Sequence, residues 1–216
     1  MSLSLRQHVL NEELDYLLLK DSLKDYEFPR AKITSLLKNK TLIRVKKGLY
    51  VFGEAWAQKP MMKEVLANLI YGPSYISLEY ALSFYGFIPE RVETLTSVTN
   101  KRDKVFDTPV GRFTYRYIHP HKYPVGVTQV TLDPTHSILI ATPEKALADL
   151  LMLSPSKLSL KNTEVLKTFL LEDARIDPSR LLTLNPKLLN AIALCYRNPN
   201  VRLLAHLIAN MRSPTP

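Results

Sequence analysis

Basic side chains are concentrated in one short stretch of the chain, with the types and spacing that suit a polyanion partner. Residues 28–59 hold eight Lys or Arg residues and one acid, so this stretch carries a net charge of +7. Residues 61–153 hold nine bases and nine acids, and residues 154–216 hold nine bases and four acids. A local basic field of this size is typical of nucleic-acid-binding proteins, although a solvated surface that only aids solubility is the alternative.

A helix predicted over residues 29–39 can present base-reading side chains within that stretch. Pro29 suits the first turn of a helix, and Ile33 and Leu36 then share one apolar side. The opposite side is polar, and a single helix is narrow enough to enter the major groove, where such side chains contact bases and phosphates. The candidate DNA-contacting residues on this helix are Arg30, Thr34, Ser35 and Lys38.

A basic two-stranded ribbon is predicted directly after this helix. Residues 42–46 alternate apolar and basic side chains, Lys47-Gly48 can form a tight turn, and residues 49–52 return as the partner strand. The ribbon's cations are expected to contact flanking phosphates, which position a protein without reading sequence. These ribbon residues are Arg44, Lys46 and Lys47.

Upstream of both elements, a shorter helix is expected to place Leu14, Leu17 and Leu18 on one apolar face. Helix, helix and ribbon is the order of a winged helix-turn-helix, which we predict over residues 1–56. Winged helices also mediate contacts between proteins, so a protein-interaction adaptor is the alternative function.

The whole chain predicts an α+β fold, with a mixed α/β domain over residues 57–153 and a helical region over residues 154–216. In the central domain, helices are expected over about 62–70, after Ser77 as a cap, and after Thr142-Pro143-Glu144. The expected strands cover residues 93–99, 111–119, 125–132 and 137–141. In the C-terminal region, helix breaks are expected at Asp177-Pro178, Asn185-Pro186 and Asn198-Pro199.

The sequence offers little for catalysis, so we expect no enzyme, no metal site and no cofactor. It contains no G-x-G-x-x-G, P-loop or G-x-S-x-G pattern, and no acid precedes a Lys by two positions, as in many Mg²⁺-dependent nucleases. His119-Pro120-His121 would need distant residues to complete a metal site and is interpreted as a turn after a strand. His136 is interpreted as a turn residue, and Cys195 as a small buried hydrophobic residue.

Hydropathy and cysteine content favour a cytoplasmic protein with no membrane partner. No apolar run approaches the ~20 residues that span a bilayer, and the first residues lack the apolar segment of a signal peptide. The single cysteine, Cys195, excludes an intramolecular disulfide.

Four blocks of sequence between residues 47 and 151 resemble the motifs of a known family. They read KGLYV at 47–51, YISLEYAL at 75–82 with YGFIPE at 85–90, DTPVGRF at 107–113, and IATPEKALADLL at 140–151. Together they are similar to the rGvYv, YxSLESAL…hGLIPE, TPLGRF and IATPEKALLDLL blocks of AbiEi antitoxins. The resemblance covers roughly residues 10–155, and residues 156–216 carry no matching motif.

This resemblance implies a bacterial antitoxin from an abortive-infection toxin–antitoxin operon. In that family the winged helix binds double-stranded DNA repeats in the promoter of its own operon and represses transcription. The following domain neutralises an AbiEii-like toxin, a nucleotidyltransferase-like protein, without needing to bind it directly. The resemblance implies that the helix and ribbon residues named above contact DNA. It also gives weaker candidates for functional residues in the antitoxin domain, which are Tyr75, Ser77, Glu79, Arg112, Lys145 and Asp149.

Each antitoxin-domain candidate also has a purely structural interpretation, which we prefer residue by residue. Ser77 can cap its helix, Arg112 and Lys145 can be solvated, and Lys145 can pair with Asp149 one helical turn away. The C-terminal region can pack on the central domain, form a homo-oligomer on DNA, or provide a second basic face. A transcriptional regulator without an antitoxin role is the alternative to the complete assignment.

Overall fold

The computed structural model describes residues 5–6, 9, 11–153 and 160–212, which form a mixed α+β fold with two sheets. The N-terminal unit contains β1 (Glu13–Asp15), α1 (Tyr16–Asp21), α2 (Pro29–Lys38), β2 (Leu42–Lys46) and β3 (Leu49–Phe52). Its sheet is antiparallel throughout, in the order β1-β3-β2, and the β2–β3 hairpin sets Ile43 opposite Val51. The predicted helix and ribbon are therefore confirmed as elements.

A separate apolar cluster holds the N-terminal unit together, and both Leu14 and Ile33 are buried in it. The expected upstream helical face is wrong, because Leu14 lies in β1 and Leu17 is 74% exposed. The cause is local. The Asp15 carboxylate accepts a hydrogen bond from Leu18 N (2.7 Å) and caps α1, so the helix begins only after the strand that contains Leu14.

A mixed six-stranded sheet forms the centre of the rest of the chain. Its strands are β4 (Ser74–Ile76), β5 (Leu95–Thr99), β6 (Lys104–Thr108), β7 (Gly111–Tyr117), β8 (Val127–Asp133) and β9 (His136–Ala141). They lie in the order β6-β7-β5-β4-β9-β8, with parallel pairs β5–β7 and β4–β9 and antiparallel pairs elsewhere. Because Ile76 lies opposite Ile140, the segments 75–82 and 140–151 are brought side by side.

Helices pack on this sheet and form the C-terminal region. They are α3 (Lys63–Ile70), α4 (Leu78–Phe84), α5 (Pro143–Leu153), α6 (Thr163–Thr168), α7 (Pro178–Leu181), α8 (Pro186–Tyr196) and α9 (Pro199–Arg212). A π-helical turn, Phe169–Asp173, extends α6, and a 3-10 turn, Pro120–Lys122, follows β7. The three expected breaks are confirmed, since α7, α8 and α9 each begin at a proline. In the described part of the chain, no helix is long and apolar enough to cross a membrane.

One continuous apolar cluster joins the central sheet to the C-terminal helices and to the N-terminal unit. It contains Ile76 and Ile140 from the sheet, Leu189 and Leu204 from α8 and α9, and Val51 from β3. Burying each such side chain stabilises the fold by about 1.5–3 kcal/mol relative to leaving it exposed. The three parts of the chain therefore pack around shared apolar contacts.

Candidate functional site

Helix α2 presents an open polar face to solvent. Ile33 and Leu36 point the other way, into the N-terminal core, and are only 5% and 3% exposed. Thr34 Oγ1 donates to the Arg30 carbonyl (3.1 Å), which leaves the hydroxyl oxygen available as an acceptor. The four residues predicted to contact DNA from this helix are all exposed: Arg30, Thr34, Ser35 and Lys38.

The β2–β3 hairpin places two more of the predicted contacts in solvent, since Arg44 and Lys47 are both exposed. A register shift between residues 44 and 46 interrupts the alternation of the ribbon, as a β-bulge does. Gly48 closes the turn with φ 86°, a conformation that glycine adopts without strain. Tyr16 N supports the turn from α1 by donating to Gly48 O (3.0 Å).

Lys46, the third ribbon candidate, has a different environment. Its Nζ donates to the carbonyl oxygens of Leu69 (3.1 Å) and Ile70 (2.5 Å) at the end of α3. Burial lowers the pKa of Lys46, and the nearby positive charges of Lys104 and Lys101 lower it further. The bulge explains this placement. It adds one residue to β2 between Arg44 and Lys46, and this extra residue changes the face of the strand on which Lys46 lies. The ammonium of Lys46 is therefore already hydrogen-bonded within the protein.

Four of the six antitoxin-domain candidates meet in the protein interior. Asp149, fully buried in α5, accepts hydrogen bonds from Tyr75 OH (3.0 Å) and Ser77 Oγ (2.7 Å) at one carboxylate oxygen. Its other oxygen accepts from Tyr196 OH (2.5 Å), which reaches in from α8. Lys145 Nζ donates to the same hydroxyl (2.8 Å). We refer to Tyr75, Ser77, Lys145, Asp149 and Tyr196 as the buried polar cluster.

The buried polar cluster joins β4, α5, α8 and the 3-10 turn after β7. Lys145 Nζ also donates to Lys122 O (2.9 Å) in that turn, and it lies 4.8 and 5.1 Å from the ring centroids of Tyr75 and Tyr196. Burial raises the pKa of Asp149, although the charge of Lys145 and the three hydroxyl donors oppose the rise. Burial lowers the pKa of Lys145, and the negative charge of Asp149 opposes this decrease. A cluster this deep can stabilise the fold but cannot touch a partner.

The structure changes three of the interpretations made for these residues. Ser77 does not cap α4 through its side chain, because its Oγ donates to Asp149 instead. Lys145 is not solvated, since it is 0% exposed. The expected pairing of Lys145 with Asp149 is bridged by the hydroxyl of Tyr196, which bonds to both. Tyr196 was missed because it lies 47 residues from Asp149, in the region without family-like motifs.

Glu79 and Arg112 lie apart from the buried polar cluster. Glu79 is exposed on α4 and lines an open cleft of about 530 Å³ together with Arg116. Arg112 forms an exposed ion pair, with 3.7 Å between its Nε and Asp107 Oδ1. Exposed pairs of this kind contribute about 0–1 kcal/mol to stability. The solvated interpretation of Arg112 therefore agrees with the structure.

His136 links the central sheet to the N-terminal unit, which its interpretation as a turn residue did not anticipate. It is 7% exposed at the start of β9, with Nε2 3.2 Å from Glu13 Oε2 of β1 and Nδ1 2.9 Å from Asp133 Oδ2. Burial lowers the pKa of His136, but the hydrogen bond to Asp133 and the charges of Glu13 and Asp133 outweigh it and raise the pKa. Glu13 is 123 residues away, so no local pattern could reveal this contact.

His119, His121 and Cys195 form a local hydrogen-bonded contact. The Nδ1 atoms of the two histidines lie 2.7 Å apart, and Cys195 Sγ donates to His121 O (3.3 Å). Cys195 is only partly buried, which corrects the expectation of a buried residue. Among the described residues, no group of three or more His, Cys, Asp or Glu side chains is placed to hold a metal ion.

The open face of α2 and the exposed hairpin side chains of Arg44 and Lys47 form the candidate functional site. Together they offer hydroxyl and cationic groups, which are the groups that contact base edges and phosphates in nucleic-acid complexes. The buried polar cluster lies outside this site and supports the central domain. No protein-family model and no curated protein matches the chain.

Proposed function

We propose that this chain is a DNA-binding antitoxin of the AbiEi type, which represses its own operon in the bacterial cytoplasm and neutralises a nucleotidyltransferase-like toxin. The observation that carries the proposal is the open polar face of α2 beside a basic hairpin. Ser35 and Lys38 are central to it, because a base-reading role requires them to be exposed, as they are. The family-like blocks supply the antitoxin assignment.

The element order of the N-terminal unit supports its assignment as a winged helix-turn-helix. In this proposal α1 and α2 are the helix pair, the β2–β3 hairpin is the wing, and β1 completes the small sheet. Helix α2 has ten residues and is therefore about 15 Å long. The major groove is about 12 Å wide and admits one helix, so side chains on the open face of α2 would reach base edges.

The hairpin has the role of positioning the protein on the duplex. Arg44 and Lys47 are exposed, and each phosphate that they neutralise adds about 0.9 to the slope of log affinity against log salt. Lys46 contributes its charge to the same field, but its hydrogen bonds to the end of α3 give it a structural role as well. Base discrimination then depends on α2 alone.

The buried polar cluster supports an antitoxin domain built as one unit. Tyr75 and Ser77 come from one family-like block, and Lys145 and Asp149 come from another, so the cluster joins the two blocks. Because these side chains are buried, they act as a scaffold and offer no atom to a toxin. Neutralisation without direct binding, as the resemblance implies, needs no toxin-facing residue among them.

The DNA-binding part is tested with a duplex from upstream of the gene, using fluorescence anisotropy. Ser35→Ala and Lys38→Ala should lose preference for this duplex over an unrelated one, because they remove groups that reach base edges. Lys187→Ala is the matched control, since Lys187 is exposed on α8 and should bind as wild type. If both α2 variants kept wild-type affinity and preference, α2 would not be the reading helix.

The proposal requires a nucleotidyltransferase-like toxin encoded next to this gene, and the antitoxin part is tested by co-expressing the chain with the product of that neighbouring gene. The wild-type chain should restore growth of cells that express this neighbour. Tyr196→Phe should restore growth less well, because its lowered stability reduces the amount of folded protein. A neighbour that is toxic and is not countered by the wild-type chain would contradict the antitoxin assignment.

A protein-interaction adaptor is the second candidate, and exposed apolar side chains in the same unit favour it. Leu17 is 74% exposed and Phe28 is 67% exposed. Exposed apolar groups of this kind are found where proteins dock, when they form a continuous patch. An adaptor would show no salt-sensitive DNA binding, and Leu17→Asp or Phe28→Asp would remove its protein partner in a pull-down.

A further inference from the structure

A second group of cations lies beside the hairpin, although it belongs to the central sheet. Lys101, Arg102 and Lys104 lie at the connection between β5 and β6, and all three are exposed. We refer to these three residues as the basic turn. They fall outside the family-like blocks, and the central stretch that contains them has no net charge overall.

The end of α3 brings ammonium groups from the hairpin and the basic turn together. Lys46 of the hairpin donates to the last two carbonyls of α3, and Lys101 donates to Gly72 O (2.5 Å), two residues further along. Between these carbonyls, the ring centroid of Tyr71 lies 5.5 Å from Lys101 Nζ and 5.4 Å from Lys104 Nζ. Residues 69–72 therefore position three ammonium groups, which belong to Lys46, Lys101 and Lys104.

These cations repel one another and are held in place by the protein. After the larger effect of burial, the charges of Lys104 and Lys101 lower the pKa of Lys46. The carbonyls at the end of a helix carry partial negative charge and an aromatic face attracts cations, so both offset the repulsion. Each ammonium has three N–H donors, and the contacts above leave donors for a ligand. An anion bound among these groups would relieve their repulsion.

The acid within the same connection is already paired. Asp103 Oδ2 lies 3.3 Å from Arg116 Nε, and Asp103 Oδ1 accepts a hydrogen bond from Tyr117 N (2.6 Å). Both partners belong to β7, so the carboxylate is directed along the sheet and its charge is offset there. The basic turn therefore keeps a positive field next to the hairpin.

We propose that the basic turn is a second DNA contact, which binds phosphates of the duplex beside the site read by α2. This inference rests on the proposed function and adds the central domain to the DNA interface. Lys46 makes the hairpin and the basic turn continuous, and a duplex carries one phosphate charge per about 1.7 Å, so one rigid polyanion can engage both.

The aromatic rings at this place favour a duplex over a single strand. Tyr71 and Phe106 pack edge-on against Tyr115, with centroid separations of 5.3 and 5.7 Å. Lys104 Nζ lies over both rings, 5.4 Å from Tyr71 and 5.0 Å from Phe106. Base stacking, on which single-strand binding depends, needs an open ring face. These rings serve to position lysines, so phosphate contacts dominate.

The test is the salt dependence of binding to the promoter duplex, measured by fluorescence anisotropy on the full chain. The double variant Arg102→Ala/Lys104→Ala should show a slope of log affinity against log salt that is shallower by about 1.8, since each lost phosphate contact removes about 0.9. Its preference for promoter over unrelated duplex should be unchanged. The control Lys161→Ala/Lys167→Ala, which also removes two exposed lysines, should keep the wild-type slope.

A charge-conserving double variant, Arg102→Lys/Lys104→Arg, keeps the test decisive if the alanine variant folds poorly, because it should retain the wild-type slope. A second readout is duplex length. Shortening the duplex until it covers only the site read by α2 should abolish the difference between wild type and the alanine variant.

Three outcomes would overturn the inference. If wild type binds promoter DNA and the alanine variant has the same slope as the lysine control, the basic turn does not contact DNA, while the proposed function stands. If the alanine variant instead loses affinity for an acidic partner protein and not for DNA, the surface has another ligand class. If wild type shows no salt-dependent DNA binding, both the inference and the proposed function fail.

Discussion

Replacing Tyr196 by Phe tests whether the buried polar cluster stabilises the fold. The variant keeps the ring but removes the hydroxyl that donates to Asp149 and accepts from Lys145. Both of these groups are 0% exposed, so water does not readily replace the hydroxyl. Each hydrogen bond to a charged group contributes about 1.5–3 kcal/mol, and we therefore expect the free energy of unfolding to fall by about 3–6 kcal/mol.

Urea unfolding followed by circular dichroism measures this change, and thermal unfolding provides a second readout. A loss of about 3 kcal/mol lowers the Tm of a protein of this size by roughly 6–12 °C. Tyr117→Phe is the matched control, because Tyr117 is 44% exposed and its loss of a hydroxyl should be nearly neutral. DNA affinity of the folded variant should be unchanged, since Tyr196 is buried and α8 carries none of the residues proposed to contact DNA. If Tyr196→Phe is no less stable than Tyr117→Phe, the cluster is not a stabilising network.

Three further changes follow from the site and from the contacts around it. Lys47→Ala should weaken binding to all duplexes alike and make the salt slope shallower by about 0.9, as measured by anisotropy titrations. Lys46→Met should instead lower the free energy of unfolding, by about 1 kcal/mol in urea titrations, because two carbonyls lose their donor. The raised pKa of His136 stabilises the fold below its unfolded value of about 6.5, and this stabilisation is lost as pH rises through the folded pKa. Urea unfolding between about pH 5.5 and 8.5 should therefore show less pH dependence for His136→Gln than for wild type, and equal dependence would mean that the contacts of His136 with Asp133 and Glu13 do not stabilise its charged form.

Local patterns were sufficient to predict helix α2, the ribbon and several helix starts. Pro29 and the apolar spacing define α2, and Gly48 permits the tight turn of the hairpin. Thr142-Pro143 marks the start of α5, as expected. Each of these signals depends only on residues that are close together in the sequence, so a single sequence is enough to predict the element.

Contacts between distant residues could not be predicted in the same way. Strand β4 has three residues and is specified by its neighbours β5 and β9, not by its own alternation. The environment of Lys46 depends on a bulge and on the end of α3, which no periodicity encodes. The contact of Tyr75 with Asp149, 74 residues apart, was not predicted, although both residues lie in family-like blocks. Nothing in those blocks indicated Tyr196.

Through Tyr196, the C-terminal helices help to stabilise the central domain, although they contain none of its family-like motifs. A fragment that ended near residue 155 would keep every family-like block, yet it would leave Lys145 and Asp149 without the hydroxyl that bridges them. The smallest portion that can be moved intact between proteins therefore includes α8, which ends at Tyr196. Recombination between related genes, or a designed chimera, must transfer that helix together with the segments it completes.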